Sequence, residues 1–413
     1  MKTSAPKSNR RDFLKKGITG MAGISLIPVW GKSEEKKEEK KGTDKKKIIY
    51  RVLGRTGLKL PVISCGSTPN SNVVRAALDM GIRHFDTANG YGGGANESML
   101  GEIFTGKPRD SFIIATKVPA LHDNRTGLIK DLVDKQISPE DLRKDFLEKM
   151  DASLKRLKLD YVDILYLYDI RNPDNVRYPL IKEILLELKK TGKTKFLGVS
   201  THQNEPAVIR AATEEKIYDV ILTAYNFRQP HREEVKQAVA YAAKESLGIV
   251  GMKVMAGVYW DRDRKQPIDA KAAMKWVLQD PNIHTIIPGI NSYDELETDM
   301  SLMEDLSLSP RERAGLKLNE ETAGTGLYCA QCARCQEQCP YHLDIPTLMR
   351  CYMYAYGYKN PAKAKGILQK KDTDLISCRD CSYCAVSCTM GFDVPAKLKD
   401  ILRILDIPDE FLV

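Results

Sequence analysis

Eight short apolar runs recur along the chain at the spacing of strands, each followed by a stretch with the rhythm of a helix. The runs are residues 62–65, 84–88, 112–118, 161–168, 195–200, 220–226, 248–254 and 284–290. Between them, segments such as 139–157 and 270–279 place apolar residues three and four apart, as amphipathic helices do. Parallel strands need crossovers covering both sheet faces, so this alternation constrains the chain to an α/β fold. Eight such units over about 250 residues predict a (β/α)8 TIM barrel. A doubly wound sheet competes, but no Gly-x-Gly-x-x-Gly follows the first run. Ahead of the alternation, Gly54-Arg55-Thr56-Gly57 between apolar residues predicts a hairpin over 50–61.

Barrels carry their chemistry at the C-terminal ends of the strands. The second run leads into Asp86-Thr87-Ala88-Asn89-Gly90-Tyr91, and the third ends Ala115-Thr116-Lys117. Strand alternation puts Asp86 on the face of His84, expected inward, and Lys117 on the face of Ala115. Asp86, Tyr91 and Lys117 can then meet at the mouth. A phenol loses its proton near pH 10; a neighbouring ammonium is expected to lower that value while a carboxylate fixes the ammonium. The three together suit a general acid and base for carbonyl reduction or alcohol oxidation. The plainer alternative is a rim ion pair with a loop aromatic beside it. His84, one layer deeper, is expected to pack, Cys65 to lie in the core, and His202 to lie on the surface rather than to supply an imidazole to the site.

The run Gly81-Ile82-Arg83-His84-Phe85-Asp86-Thr87-Ala88-Asn89-Gly90-Tyr91-Gly92, then Asn96-Glu97 and Leu100-Gly101, resembles the signature of the aldo/keto reductase family. The resemblance continues through Tyr161-Val162-Asp163, Gly198-Val199-Ser200, Tyr225-Asn226 and Ile287-Pro288-Gly289, and covers residues 48–306. It implies a barrel that binds an extended nicotinamide dinucleotide without a Rossmann fold and acts on a small carbonyl or alcohol. By match to the family's motifs, Asp86, Tyr91 and Lys117 are implied members of a catalytic tetrad, with Tyr168 at the fourth position, where the family has His. A phenol there still donates a hydrogen bond, but its size and proton affinity set this chain apart from ordinary aldehyde reduction. Ser200 is implied at the carboxamide; Met252 and Lys253 stand where many relatives have Tyr and Ser against the nicotinamide. Pro288, Gly289, Asn291 and Ser292 are implied near the adenosine phosphate. NADP-using relatives have basic residues after the eighth strand, and this chain has Gly289 and Glu295, so NAD is favoured over NADP.

Nine of the ten cysteines fall between Cys329 and Cys388, which marks a separate C-terminal module. They read Cys329-x2-Cys332-x2-Cys335-x3-Cys339-Pro340 and Cys378-x2-Cys381-x2-Cys384-x3-Cys388. Three thiolates in seven residues, with a fourth beyond, form the bacterial two-cluster ferredoxin pattern, in which the fourth cysteine of each run ligates the other cluster. Cys329, Cys332, Cys335 and Cys388 are then expected to hold one [4Fe-4S], and Cys378, Cys381, Cys384 and Cys339 the other. Zinc is the competing reading, but four-thiolate zinc sites draw on two separated Cys-x2-Cys pairs, not on duplicated triplets. The 38 residues between the runs carry helical patterns at 345–358 and 360–369, so the module is expected to be a mainly α-helical ferredoxin-like domain. Tyr352, Tyr354, Tyr356 and Tyr358 would fall on two opposite helix faces as packing surfaces, and Cys351 would be buried.

The net charge of +9 suggests nucleic acid until it is located. Residues 1–50 hold fourteen Lys and Arg against six Asp and Glu, leaving the rest of the chain close to neutral and a nucleic-acid footprint unsupported. Within that basic stretch, Asn9-Arg10-Arg11-Asp12-Phe13-Leu14-Lys15 precedes an apolar segment up to Trp30 and resembles a twin-arginine export signal. Export of a folded protein to the periplasm suits a cluster assembled in a reducing compartment, and membrane attachment would come only from this segment if it stays uncleaved. The expected organisation is a signal at 1–31, a charged linker at 32–47, the barrel at 48–308 and the cluster domain at 320–413. Three functions remain open. The barrel reads as an enzyme whose clusters relay electrons to a redox partner protein, as a docking body for an electron-transfer subunit, or as an enzyme with purely structural clusters.

Overall fold

The computed structural model describes residues 48–123, 126–261, 263–318, 327–369, 375, 378–379, 381, 383–389 and 391–412. The twin-arginine segment and the charged linker lie outside the described residues. The chain enters through the expected hairpin, β1 (Tyr50–Val52) antiparallel to β2 (Lys59–Pro61). Seven parallel strands follow in sequential order: β3 (His84–Asp86), β4 (Ile113–Val118), β5 (Val162–Leu167), β6 (Thr194–Thr201), β7 (Val220–Ala224), β8 (Gly248–Met252) and β9 (Thr285–Ile286).

The first apolar run does not form a full strand, yet it closes the barrel. Ser64 N donates to Ile286 O at 2.8 Å on one side, and Cys65 N donates to His84 O at 2.9 Å on the other. Parallel bridges join Ile63 to Ile286 and Cys65 to Phe85. All eight expected strand positions are thus present around a closed (β/α)8 barrel, the eighth spot being filled by two bridges rather than a ladder.

Period two sorts each strand into an inner and an outer face. Ala115, Ile164, Tyr166, Val220, Leu222 and Val250 point inward and pack with Leu53 and Leu60 of the hairpin, which plugs the N-terminal end. Gly198 belongs to the same layer: a Cβ there would stand 2.5 Å from the Tyr166 ring, so the large phenol is accommodated by a residue with no side chain. Carrying the inward series one step further along each strand gives Asp86, Lys117, Tyr168, Ser200, Ala224 and Met252 at the C-terminal mouth.

The outer faces are covered by helices that include α1 (Ser71–Asp79), α2 (Ala95–Phe104), α3 (Pro139–Leu157), α4 (Pro179–Lys190), α5 (Glu205–Glu214), α6 (Arg232–Lys244), α7 (Ala270–Leu278) and α8 (Tyr293–Leu302). The helix α3 shows why these boundaries were readable. Ser138 accepts from Asp141 N at 3.1 Å, Pro139 opens the first turn, Lys155 and Arg156 lie at the negative end of the dipole, and Lys158 ends it with φ 54°. Its buried residues Leu142, Phe146, Met150 and Leu154 follow the four-residue step of one helical face.

The C-terminal region has its own core, in which α9 (Ile345–Tyr352), α10 (Pro361–Gln369) and α11 (Val394–Leu402) bury Leu348, Leu368, Leu398 and Ile401. The expected helix at 345–358 is α-helical only to Tyr352 and continues as a π-helical turn, Met353–Gly357. A wider turn brings an extra residue to one face, a device found often at functional sites. The tyrosines pair across opposite faces as expected, Tyr352 with Tyr356 at 4.5 Å between ring centres and Tyr354 with Tyr358 at 6.2 Å, and Cys351 is fully buried. Among the described residues no helix is long and apolar enough to cross a membrane.

One glycine fixes how α2 meets α3. A Cβ on Gly101 would overlap the carbonyl oxygen of Arg156. Gly101→Ala should therefore lower stability by about 1–3 kcal/mol, as overpacking does, visible as a fall in melting temperature; an unchanged melting temperature would show that this crossing is not tight.

Candidate active site

The mouth is organised by an ion pair with almost no access to water. Asp86 ends β3 and Lys117 lies in β4, and both side chains are at most 2% exposed. The Lys117 ammonium donates to Asp86 Oδ1 and, at 2.6 Å, to the carbonyl of Thr87. Burial pushes the Asp86 carboxyl up and the Lys117 ammonium down, each opposed by the charge of the other. Asp86 Oδ2 is buried without a hydrogen-bond partner among the described residues.

Tyr91 stands over this pair, with the Lys117 nitrogen 5.0 Å from its ring centre. Its ring meets that of Tyr168 edge-on, with 6.4 Å between ring centres. Asp86, Tyr91, Lys117 and Tyr168 therefore converge, as the sequence suggested. The expected lowering of the Tyr91 proton affinity is not what the site produces. Burial, then Tyr168, then the Asp86 carboxylate hold the phenol well above its ordinary value, because the charge of Lys117 is already committed to Asp86. Tyr91 is thus a firmly protonated donor, partly exposed, as is Tyr168.

A second polar network was not legible in the sequence. Asp169, in the left-handed region at φ 55°, follows Tyr168. His202 Nε2 lies 2.9 Å from Asp169 Oδ1, Arg171 lies 3.3 Å and Arg350 3.8 Å from Oδ2. Burial alone would raise this carboxyl, but His202, Arg171 and Arg350 hold it well below its usual range. His202 is not the surface residue expected from the sequence. It is 7% exposed, its Nδ1 faces Arg350 at 3.2 Å, and burial, only partly offset by Asp169, lowers it to about 4. Its neighbours come from other strands and from residue 350, which no local pattern reveals. The one available signal was Asp169-x-Arg171, a charged pair directly after a barrel strand.

Arg350 belongs to α9, so the C-terminal domain reaches into the barrel mouth. Arg171 is ion-paired to Asp344 at 2.6 Å and donates to Thr347 Oγ1 at 3.1 Å. Asn226 donates to the Tyr328 hydroxyl at 3.0 Å. Lys253, at φ 59° just beyond β8, donates to the Tyr354 hydroxyl. The Lys363 ammonium lies 5.1 Å from the ring centre of Tyr91 and 4.5 Å from that of Tyr354, bridging the two domains by cation–π contact. One cavity between the domains, bordered by His202, Lys253, Tyr328, Cys329, Arg350 and Met353, has room for little beyond ordered water.

The residues implied in dinucleotide binding are engaged by the chain itself in this arrangement. Ser200 Oγ accepts from Asp169 N at 2.9 Å, and Lys253 is held by Tyr354. Met252 is half-buried at the end of β8 and Pro288 is buried, while Gly289 and Asn291 are exposed. Ser292 caps α8 by accepting from Glu295 N at 3.1 Å, and the Glu295 carboxylate accepts from Asn291 N at 2.6 Å. A carboxylate thus occupies the N–H groups to which a phosphate would be attracted.

Two groups of thiols assemble in the C-terminal domain. Cys329, Cys332, Cys335 and Cys388 surround one cavity together with Pro346 and Thr389. Cys378 has the thiols of Cys339, Cys384 and Cys381 as its neighbours. Each group mixes both sequence runs, in the pattern expected for cross-ligation. Burial, with the neighbouring thiols adding to it, pushes Cys329 up to about 12 and Cys335 and Cys378 up to about 11. Four crowded thiols become tolerable as thiolates when a positively charged iron core compensates them, so the donor sets fit [4Fe-4S] clusters.

Comparison with known proteins agrees with both halves of the chain. The Aldo/keto reductase family model matches residues 69–271, and the 4Fe-4S dicluster domain model matches residues 328–393. L-galactose dehydrogenase of Arabidopsis thaliana is 38% identical over 170 residues, 37% of this chain and 49% of that protein. L-glyceraldehyde 3-phosphate reductase of Escherichia coli K12 is 26% identical over 64% of this chain and 90% of that protein. The chain spans about half the length of the first relative and most of the second. Among solved structures, an aldo-keto reductase from Bacillus halodurans in its holo form superposes with a TM-score of 0.50 at 22% identity, over 66% of this chain and 96% of that one, which shows the shared fold. Residues 69–271 are thus similar to aldo/keto reductases, and the region after them to 4Fe-4S dicluster domains.

Two outcomes test this geometry. Cys388→Ala should remove the first cluster and Cys339→Ala the second, each taking iron from about eight to about four per chain; loss of the opposite cluster, read by electron paramagnetic resonance, would refute cross-ligation. His84 is fully buried, neither ring nitrogen has a partner among the described residues, and burial, aided by Lys117, lowers it to about 4. The unfolded chain takes up this proton first, so stability is complete above about pH 6.5 and falls as the pH drops toward 4. Near pH 5 the loss is about 2 kcal/mol. Denaturant titrations of His84→Leu should lack this share of the acid slope, and an unaltered slope would show that His84 already carries its proton in the fold.

Proposed function

We propose that this chain is an oxidoreductase that interconverts a small alcohol and its carbonyl compound at Tyr91, with two [4Fe-4S] clusters that exchange electrons with a redox partner protein. The observation that carries the reading is the convergence of Tyr91, Tyr168 and the buried Asp86–Lys117 pair at the C-terminal end of the barrel. A carbonyl oxygen placed against Tyr91 gains negative charge as the carbon is reduced, and the phenol delivers a proton to that oxygen. High proton affinity suits Tyr91 to this task, since the alkoxide that forms is more basic still. Lys117, paired with Asp86 and held by the Thr87 carbonyl, lies beneath the Tyr91 ring as the cationic half of a neutral pair. Tyr168, packed edge-on against Tyr91 at the position where the family has His, is placed to donate a second hydrogen bond to the carbonyl oxygen. When bound in their cradles, the clusters supply one-electron steps.

The relatives named as an L-galactose dehydrogenase and an L-glyceraldehyde 3-phosphate reductase support a polyhydroxylated, sugar-like substrate. The twin-arginine resemblance supports export to the periplasm. An alternative reading, an electron-transfer subunit whose barrel is a docking body, is favoured by the little space that the C-terminal domain leaves at the mouth.

Tyr91→Phe separates the two. It should lower turnover of a responsive sugar or aldehyde by about 100-fold or more while the visible cluster absorbance is retained. Equal turnover in the variant would remove Tyr91 from the chemistry.

A further inference from the structure

We propose that the dicluster domain takes the seat of the dinucleotide, so that the first cluster, not a nicotinamide, is the electron exchanger facing the barrel mouth. This rests on the reading of Tyr91 as the reacting centre. Two independent observations, at opposite ends of the expected dinucleotide path, carry it. At the inner end, Tyr354 holds Lys253, and Lys363 from α10 lies over the Tyr91 ring. Ser200 Oγ accepts from Asp169 N, which leaves its O–H as the one donor there. At the outer end, Glu295 places its carboxylate on Asn291 N, and a phosphate there would meet a like charge in place of a free N–H donor.

What remains between the domains leads to the clusters. Cys329 borders the mouth cavity together with Lys253 and Arg350, and it also lines the cradle formed with Cys332, Cys335 and Cys388. One cysteine is therefore a wall of both spaces. Tyr91 and Tyr168 both remain partly exposed.

The electron count closes without a hydride carrier. Reduction of a carbonyl takes two electrons and two protons: each [4Fe-4S] cluster would give one electron, going from the 1+ to the 2+ state and being reduced again by the redox partner protein, Tyr91 gives the proton that forms the O–H bond, and water supplies the proton that forms the C–H bond.

Two measurements on the anaerobically purified, cluster-loaded chain test this. Titration with NAD, NADH, NADP and NADPH, followed by the fluorescence of Trp260 and Trp276, should show no binding tighter than about 1 mM. A dissociation constant near 10 µM or below, about a hundredfold tighter, would overturn the proposal even if Tyr91→Phe behaves as expected. Burial, with Arg350 beside it, lowers the Lys253 ammonium to about 7, so redox titration of the first cluster at pH 6, read by electron paramagnetic resonance, should give a lower midpoint potential in Lys253→Met, because a positive charge beside the reduced cluster is lost, and recovery in Lys253→Arg. An unchanged potential in Lys253→Met would show that the cluster is not coupled to the mouth and would equally overturn it.

Discussion

The junction of the two domains depends on one carboxylate. Asp169 sits at the end of a barrel strand with His202 and Arg171 from the barrel and Arg350 from the C-terminal domain around it. A buried charge of this kind is tolerated only when its partners surround it, and removing one partner from such a network commonly costs about 3–5 kcal/mol. Arg350 further donates to Thr347 Oγ1 at 3.1 Å, and Arg171 ties the same helix through Asp344. The barrel mouth is thus built with α9 as one of its walls. The position of Tyr354 over Lys253, and of Lys363 over Tyr91, follows from that docking.

This arrangement changes what the barrel residues can do. Asp86 and Lys117 are neutralised by each other, which leaves Tyr91 with its proton held tightly by burial and by Tyr168. A group of that kind gives a proton well to a developing alkoxide and abstracts one poorly without help. Of the basic groups that converge near it, Arg350 and Lys253 border a cavity that Cys329 also lines, and burial lowers the Lys253 and Lys363 ammonium groups.

Much of the fold was legible because it rests on local rules. Strand periodicity gave the barrel, and Ser138, Pro139 and Lys158 bounded the helix at 139–157 to the residue. The cysteine spacing gave the two cradles, including the exchange of Cys339 and Cys388 between runs. Asp86, Tyr91 and Lys117 were legible as strand-end residues. The first strand was less so, since residues 62–66 carry the bonds of a strand without a continuous ladder. His202 was misplaced at the surface because its partners are distant in sequence: Arg350 is 148 residues away. Arg350 itself stands between Met349 and Cys351 in a helix that is otherwise buried, and a charge at such a position signals a partner without naming it. The covering of Lys253 and Tyr91 by Tyr354 and Lys363 is a property of domain docking, which no strand or helix pattern encodes.

The most direct measurement is a crystal structure of the cluster-loaded chain, with an iron anomalous map to place both clusters. The account requires the first cluster on Cys329, Cys332, Cys335 and Cys388, with Arg350 against Asp169 and Tyr354 against Lys253 closing the mouth. A structure in which the dicluster domain stands away from the barrel, leaving Ser200 and Lys253 open to solvent, would contradict it.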